Sequence, residues 1–240
     1  MCYAEGMASF TRTATAVTVT AAAFFMLTGC VTPTLNPTPT FTVTKPAPTQ
    51  TPTPTPTPTP DATPTLTSAA AILETLTVAD EVEENTYDRD FFNHWITQPD
   101  GCDTRDAVLI RDGQNTSLNA ECKVTGTWFS VYDAVTVTDP SDLDIDHMVP
   151  LKEAWVSGAY AWTDETREAY ANDLTNPVAL VAVTASSNRS KGDRDPAEWM
   201  PTMMDGCEYV TRWVDVKAEW NLTVDPTEKD AILSVLSWCD

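Results

Sequence analysis

The sequence predicts an α+β fold for residues 69–240. After two segments of helical character, runs rich in Val, Thr and aromatic residues are typical of strands, and most of the remainder has helical periodicity. The Trp residues of the chain, 8 in number, all lie there, so this part has the large apolar side chains that a core needs. Four cysteines in the same part indicate disulfide bonds that would stabilise the fold.

Hydrophobic periodicity and turn signals place the elements along this part of the chain. Helices are expected at residues 69–84, 91–96, from near Lys152, and at 163–174, 196–199, 208–220 and 226–238. Strands are expected at residues 107–110, 123–132, 135–138 and 177–183. The last helix has the clearest start signal, because Asp225 is followed by Pro226 at the first helical position and by Glu228 three residues after the cap.

Residues 1–30 are typical of an export signal. Arg12 precedes a short apolar run that is too brief for a stable membrane span, and small residues follow this run. The tetrapeptide from Leu27 to Cys30 resembles a bacterial lipobox, in which the cysteine is lipidated and becomes the first residue of the mature protein. The sequence therefore predicts an extracellular lipoprotein anchored to a bacterial membrane through Cys30. An ordinary signal peptide is the alternative, and Met7 is a second candidate for the start.

Residues 31–68 are dominated by Thr and Pro, which alternate without a break from Thr51 to Pro60. Such a composition cannot bury a core and favours extended polyproline II, at about 3.1 Å per residue. We expect a disordered stalk that lifts the following domain away from the membrane. The threonine hydroxyl groups leave glycosylation of the stalk open.

The chain is strongly acidic, with a formal net charge of -21 that comes from 14 Lys and Arg against 35 Asp and Glu. The charged residues outside the domain cancel one another; they are Glu5, Arg12, Lys45 and Asp61. The excess negative charge therefore belongs to the domain, and it argues against general adhesion to nucleic acid or to anionic lipid. A nucleic-acid substrate would be held weakly, through a divalent cation and a local basic patch, in a strongly salt-sensitive way.

The domain contains Cys102, Cys122, Cys207 and Cys239, which in an exported chain indicate two disulfides with three possible pairings. We favour the local pairing, in which Cys102 bonds Cys122 and Cys207 bonds Cys239. A zinc site is the rival interpretation. It is weaker because no Cys-x-x-Cys spacing occurs and the chain has only 2 His.

A histidine flanked by carboxylates, with a distant asparagine in a basic turn, suggests phosphodiester hydrolysis. The reaction needs a base to deprotonate water, and His147, with an ordinary pKa of about 6.5, suits that task. The neighbouring Asp146 would point to the other side of an extended backbone, towards a divalent ion that Asn188 also binds through its amide oxygen. Asn176 would brace the loop before the next strand through hydrogen bonds to the backbone.

Basic side chains close to these residues are candidates for phosphate binding. Arg189 and Lys191 follow the asparagine of the basic turn, and Arg194 comes soon after them. Arg105, near Cys102, is a further candidate, with a salt bridge as the alternative. These side chains would form the local basic patch in an otherwise acidic domain.

Three segments resemble the HNH, or ββα-metal (His-Me finger), nuclease motif in its His-Asn-Asn form; they are residues 144–150, 176–183 and 188–192. More narrowly, the chain is similar to exported HNH proteins of actinobacteria that carry the domain of unknown function 1524. That similarity includes residues 87–92, 101–105, 170–174 and 195–199. It extends over nearly all of the chain from Tyr87 to Cys239 and over none of the stalk.

The resemblance implies that a β-hairpin carries His147 as the general base and that a following helix carries Asn188. Asp146 matches the metal-binding carboxylate, and Asn176 and Asp144 match structural positions. Many relatives have a histidine ligand where this chain has Asn188. The asparagine favours Mg²⁺ or Mn²⁺ over Zn²⁺.

These observations predict a lipid-anchored, Mg²⁺-dependent endonuclease that cleaves DNA, or RNA, with little sequence specificity. Its domain would be a disulfide-bonded ββα-metal finger with additional strands and helices. The alternative is a non-catalytic surface lipoprotein whose acidic domain binds a partner or a cation.

Overall fold

The computed structural model describes residues 66–239. The predicted signal peptide, its Cys30 and nearly all of the stalk lie outside the described residues. In the described part no helix is long and apolar enough to cross a membrane.

Helices and strands are mixed along the described part, which confirms the α+β class. The helices are α1 (Leu66–Leu73), α2 (Thr104–Asp112), α3 (Leu151–Val156), α4 (Asp164–Ala171), α5 (Ala185–Lys191), α6 (Gly206–Glu219) and α7 (Pro226–Leu236). The strands are β1 (Gln114–Leu118), β2 (Val124–Ser130), β3 (Val135–Val137), β4 (Leu143–His147) and β5 (Leu180–Thr184).

The strands of residues 66–239 form two antiparallel sheets. β1, β2 and β3 pair in chain order, while β4 pairs with β5 although α3 and α4 lie between them in sequence. In the second sheet Asp146 lies opposite Val181, and His147 lies opposite Leu180. Helix α5 begins directly after β5 and packs against both strands of this sheet.

The β4–β5 sheet lies between two groups of buried apolar side chains. Leu180 belongs to a smaller core with Val108 of α2 and Trp128 of β2. Val181 belongs to a larger core that includes Trp213 of α6. All five side chains of β5 are buried for this reason, so the strand is a continuous apolar run rather than an alternating one.

The structure corrects the element expected at residues 107–110, which lie in α2 and not in a strand. Asp103 caps this helix: its carboxylate accepts a hydrogen bond from the N–H of Asp106, and the Asp106 carboxylate accepts one from the N–H of Asp103. A short apolar run fits a buried strand or a helix equally well. The capping box decides between them here.

Two predicted helices near the start of the domain are shorter than expected or absent. The helix expected at 69–84 ends at Leu73, where the hydroxyl of Thr75 donates to the carbonyl of Ile72 and β-branched residues follow. Residues 91–96 contain only the end of a 3-10 turn, Arg89–Phe91. The left-handed backbone of Trp95, with φ of 60°, prevents a helix there.

Three further differences concern short or polar segments. Residues 196–199 form a turn rather than a helix, because the carboxylate of Asp195 accepts backbone N–H groups of Ala197 and Glu198. Strands β1 and β4 were not expected from periodicity, since both carry polar residues. The start predicted for the last helix is confirmed, with Asp225 as a capping-box residue and Pro226 in the first turn.

Both disulfides of the favoured pairing are present. Cys102 bonds Cys122 and ties the start of α2 to the segment before β2. Cys207 bonds Cys239 and ties the first turn of α6 to the residues after α7. Each bond closes a loop within one half of the domain, as expected for a local pairing.

Candidate active site

The candidate site lies on the β4–β5 sheet and on α5. Side chains alternate between the two faces of a strand, so Asp144 and Asp146 point to one face of β4 and His147 points to the other. The contacts agree: both aspartates meet side chains of α5, whereas His147 meets α4 and Trp95. The two neighbouring residues at the end of β4 therefore face different surroundings.

The carboxylate of Asp146 is buried, with 4% of the residue exposed. Its Oδ2 accepts hydrogen bonds from the hydroxyl of Tyr132 and from Nζ of Lys191, each at 2.6 Å. Its Oδ1 has no hydrogen-bond partner among residues 66–239. One oxygen of this carboxylate is therefore fully engaged by protein groups and the other is not.

Lys191, at the last position of α5, is completely buried. Besides the carboxylate of Asp146, its ammonium donates to the carbonyl oxygens of His147 at 2.8 Å and of Met148 at 2.9 Å. Burial lowers the pKa of Lys191 below its usual 10.5, although the charge of Asp146 acts in the opposite direction. The predicted phosphate contact does not fit this position, because the ammonium points into the domain and uses all three of its N–H groups there.

The imidazole of His147 is 6% exposed and stacks against two aromatic rings. The ring centroids lie 5.5 Å from Trp95 and 6.3 Å from Tyr170. Nε2 lies 3.0 Å from the carbonyl oxygen of Ala171, so Nε2 carries the proton and Nδ1 keeps a lone pair. Burial lowers the pKa of His147 from 6.5 to about 3, and the Ala171 hydrogen bond only partly opposes this effect. The ring is therefore neutral at pH 7, with Nδ1 as a proton acceptor.

Asn188 lies one turn before the end of α5 and is half-buried. Its Nδ2 donates to Oδ2 of Asp144 at 3.3 Å, which leaves the amide oxygen without a partner among the described residues. Nε of Arg189 lies 3.5 Å from the same Asp144 oxygen, and 76% of the arginine side chain is exposed. The structure thus brings Asn188 next to Asp144, and it leaves Arg189 at the surface.

Arg105 and Asn176 form hydrogen bonds to the backbone near the starts of β4 and β5. Nη2 of Arg105 donates to the carbonyl oxygens of Pro140 at 2.8 Å and of Leu143 at 3.0 Å, and so fixes the start of β4. This contact differs from both the phosphate contact and the salt bridge that the sequence suggested. Asn176 accepts the N–H of Val178 at 3.0 Å through its Oδ1, a hydrogen bond within the loop before β5.

Three aromatic residues of the site were not predicted from the sequence: Trp95, Tyr132 and Tyr170. Trp95 lies in a loop, Tyr132 lies in the turn between β2 and β3, and Tyr170 lies in α4. None of them is a neighbour of His147 in the sequence. Tyr170 begins one of the segments that carry the family resemblance, so a signal existed for it. Nothing in the local sequence of Trp95 or Tyr132 marks a contact with the end of β4.

Two other groups of side chains in residues 66–239 bring potential metal ligands together. One consists of Asp106 and the sulfurs of the Cys102–Cys122 disulfide, which are not available as thiolates. The other consists of Glu81, Asp195 and Asp225, which line an open cavity of 690 Å³. Burial, followed by the charges of Glu153 and Asp225, raises the pKa of Glu81 to about 7. Of the residues predicted for the nuclease site, Arg194 of the basic patch lines this cavity, whereas Asp146, His147 and Asn188 do not.

Comparison with known proteins places the chain in a family. The family model described as "GmrSD restriction endonucleases, C-terminal domain" matches residues 83–235. The chain belongs to this family. The GmrSD C-terminal domain match includes β4, β5 and α5, and it suggests a nuclease. A protein of Arthroderma benhamiae described as "Uncharacterized secreted protein" is 45% identical over 178 residues, which are 73% of this chain and 87% of that protein. No solved structure matches the chain.

Proposed function

We propose that the domain is an HNH-type, ββα-metal endonuclease that hydrolyses phosphodiester bonds of DNA, or RNA, with Mg²⁺ or Mn²⁺. The observation that carries the proposal is the end of β4. There a neutral His147, whose Nδ1 has no partner among the described residues, faces one side of the strand, and the fixed carboxylate of the preceding Asp146 faces the other. A hairpin and a helix with these residues, in a family named for restriction endonucleases, favour phosphodiester hydrolysis over other chemistry.

The donor atoms next to α5 fit a hard divalent cation, which prefers carboxylate and amide oxygens. Asp146 Oδ1 and the amide oxygen of Asn188 are both without a partner among residues 66–239, and these two residues are the proposed ligands. The carboxylate of Asp144, by accepting Nδ2 of Asn188, orients that amide. A bound cation supplies positive charge to the phosphate oxygens during cleavage.

His147 acts as the general base through Nδ1, while the carbonyl of Ala171 holds the proton on Nε2. A pKa of about 3 keeps the free imidazole neutral at any physiological pH. The negative charge of a bound phosphodiester favours the imidazolium form, so the ring becomes a stronger base when substrate is present. The buried position of the ring keeps Nδ1 in one orientation for proton transfer.

Substrate phosphates would be held chiefly by Arg189, the exposed arginine of α5. Arg105 and Lys191 bond backbone oxygens instead, so the basic patch is smaller than the sequence suggested. With a net charge of -21, binding should be weak and lost as salt is added, with little sequence discrimination. Cleavage that is insensitive to added salt would contradict this electrostatic account.

We also propose that the protein works outside the cell. Two disulfides and the description of the Arthroderma benhamiae relative as secreted support export. Lipidation at Cys30, with the Thr/Pro-rich stalk as spacer, would keep the nuclease at a bacterial cell surface. Mass spectrometry of the purified mature chain tests this proposal by the presence or absence of a lipid on Cys30.

A plasmid-nicking assay with the full chain tests the nuclease proposal. The wild type should convert supercoiled plasmid to nicked circles with Mg²⁺ or Mn²⁺ and should stop when EDTA is added. His147→Ala should lose at least 100-fold in rate, as expected for the loss of a general base. His94→Ala is the matched control, because His94 is the other histidine of the chain and its side chain bonds the Phe92 carbonyl and contacts Trp95 rather than Asp146 or Asn188.

Circular dichroism should show the same fold for wild type and both variants. Equal nicking by wild type and His147→Ala would overturn the nuclease proposal. The non-catalytic alternative would then be favoured, with the acidic domain binding a cation or a partner.

A further inference from the structure

The structure assigns a positioning role to Tyr132 and Lys191. We propose that these two residues block one oxygen of Asp146, so that the carboxylate offers a divalent cation a single oxygen, Oδ1. This inference rests on the proposed function, because it concerns the carboxylate placed there as a metal ligand. It also replaces the phosphate-binding role that the sequence suggested for Lys191.

The geometry at Oδ2 is the basis of the inference. Tyr132 and Lys191 approach this oxygen at 2.6 Å each, so both of its lone pairs are used, one of them by a charged donor. Oδ1 has no donor among residues 66–239. Two side-chain atoms in that part of the structure are both fully buried and without a hydrogen-bond partner, Asp133 Oδ1 and the Tyr209 hydroxyl. Asp146 Oδ1 also lacks a partner but is not one of them, so it is not fully buried.

The ammonium of Lys191 cannot leave this position at low cost. Its other two hydrogen bonds go to the carbonyl oxygens of His147 and Met148, and no part of the residue is exposed. Moving it away would leave the buried carboxylate without its cation and would remove one donor from each of two carbonyl groups. Lys191 therefore ties the end of α5 to the backbone that carries the proposed base, and it fixes the carboxylate and the imidazole relative to each other.

Tyr132 is held as firmly as Lys191. It lies just after β2 and is fully buried, with its ring 5.3 Å from that of Trp199 and 5.9 Å from that of Tyr209. Burial, followed by the charge of Asp146, raises its pKa well above 10, so the phenol keeps its proton and remains a donor to Oδ2. The turn between β2 and β3 of the first sheet thus positions a side chain of the second sheet.

A one-oxygen carboxylate has a consequence for metal choice. Mg²⁺ requires near-octahedral geometry and keeps several waters, whereas the larger Ca²⁺ also accepts both oxygens of a carboxylate. Blocking Oδ2 therefore favours the smaller cation. Removal of the Tyr132 hydroxyl frees one lone pair of Oδ2, and it should shift the preference of the site towards Ca²⁺ while loosening the carboxylate.

Titration calorimetry of the full chain with Mg²⁺ and with Ca²⁺ tests the inference directly, without reference to cleavage. Tyr132→Phe should weaken Mg²⁺ binding about 10-fold, the size of effect that groups supporting a metal ligand typically have. The ratio of the Ca²⁺ to the Mg²⁺ affinity should rise. Tyr209→Phe is the matched control: it removes another buried hydroxyl, which has no partner within residues 66–239, and should leave both affinities unchanged.

Cleavage kinetics and a second variant complete the test. Tyr132→Phe should lower kcat at fixed Mg²⁺ with KM for plasmid unchanged, because the substrate contacts remain. Lys191→Arg should retain more Mg²⁺ affinity than Lys191→Met, since only the arginine keeps a charged donor. Thermal melting without metal shows whether each variant is folded.

The outcomes separate the two proposals. Mg²⁺ affinity that is the same in wild type and a folded Tyr132→Phe would overturn the positioning role, even if the wild type cleaves DNA. The proposed function would still stand in that case if the wild type cleaves DNA with Mg²⁺ and the His147→Ala variant does not. A wild type that binds no Mg²⁺ and cleaves nothing would overturn both.

Discussion

The indole of Trp95 stacks on the imidazole of His147, with ring centroids 5.5 Å apart and planes inclined by 24°. This contact removes water from one of the surfaces of the ring, and desolvation is the largest cause of the low pKa of His147. The backbone of Trp95 has φ of 60°, a conformation that large side chains rarely adopt. Strain of this kind persists when the surrounding contacts favour it, and here it places the indole over the proposed base.

Replacement of Trp95 by Ala should therefore raise the pKa of His147 from about 3 towards its ordinary 6.5, because water reaches the ring. The acidic limb of kcat/KM, far below pH 6.5 in the wild type, should move upward by at least one pH unit. NMR titration of the imidazole Cε1 proton measures the pKa directly, and His94→Ala identifies which signal belongs to His147. An unchanged titration in Trp95→Ala would show that the indole does not control the base.

The same histidine should make the fold sensitive to acid. In the unfolded chain His147 binds a proton below about pH 6.5, whereas in the folded chain it does so only below about pH 3. The free energy of unfolding therefore falls as the pH falls from 6.5 to 3. At about 1.4 kcal/mol for each pH unit, roughly 2 kcal/mol is lost between pH 6.5 and pH 5. His147→Gln lacks this loss. Its unfolding free energy relative to wild type should rise by about that amount between pH 8 and pH 5.

Urea unfolding of both proteins at pH 8, 6.5 and 5 measures this difference. His147→Asn serves as a second variant, since the effect depends on losing the titrating ring and not on the residue that replaces it. Parallel pH profiles for wild type and both variants would contradict the burial of a neutral imidazole.

Elements with local signals could be predicted from the sequence, and those decided by distant contacts could not. Helix α7 was predicted because its capping box is contained in four consecutive residues, and β5 because an unbroken apolar run indicates a strand buried on both faces. Residues 107–110 were assigned to the wrong element because four apolar residues fit either one. Only the cap at Asp103 distinguishes the helix.

In the candidate site, too, residues of a local motif could be singled out from the sequence, and contacts between distant segments could not. The motif groups Asp146, His147 and Asn188, and the structure places the first two at the end of β4 and Asn188 on α5. The roles assigned to these residues stay a prediction. The burial of Lys191 was missed, because a lysine in a polar, basic segment normally faces water. Its position depends on Tyr132, which is brought from the other sheet, and no pattern within α5 contains that information.

Loss of the Cys207–Cys239 disulfide should destabilise the helices at the end of the chain. The bond closes a loop with a sequence separation of 32 and holds α6 to the residues after α7. Chain-entropy arguments give a loss of roughly 4 kcal/mol, mainly through the unfolded state. Cys207→Ser with Cys239→Ser should show this loss in urea unfolding, and hydrogen exchange should increase first in α7. Alkylation of all four domain cysteines without reductant would contradict the disulfides.

Lys217 should be far more important for stability than its charge alone suggests. It is fully buried, and its ammonium donates to Oε1 of Glu153 at 2.7 Å and to Oε2 of Glu228 at 2.6 Å. Lys217→Met leaves two buried carboxylates without their cation, a change that costs about 3–5 kcal/mol. Lys229→Met is the matched control: its pair with the exposed Glu74 should contribute less than about 1 kcal/mol.

The cost of Lys217→Met should depend on pH. Burial already raises the pKa of Glu228 to about 7 although Lys217 lowers it, so without the lysine the carboxyl group of Glu228 stays protonated to a higher pH. Protonation removes the uncompensated charge, and the variant should therefore recover part of its stability at pH 5 relative to pH 8. Urea unfolding at both values measures the recovery. A deficit as small as that of Lys229→Met, or one that is equal at both pH values, would show that the buried ion pairs do not carry the stability assigned to them.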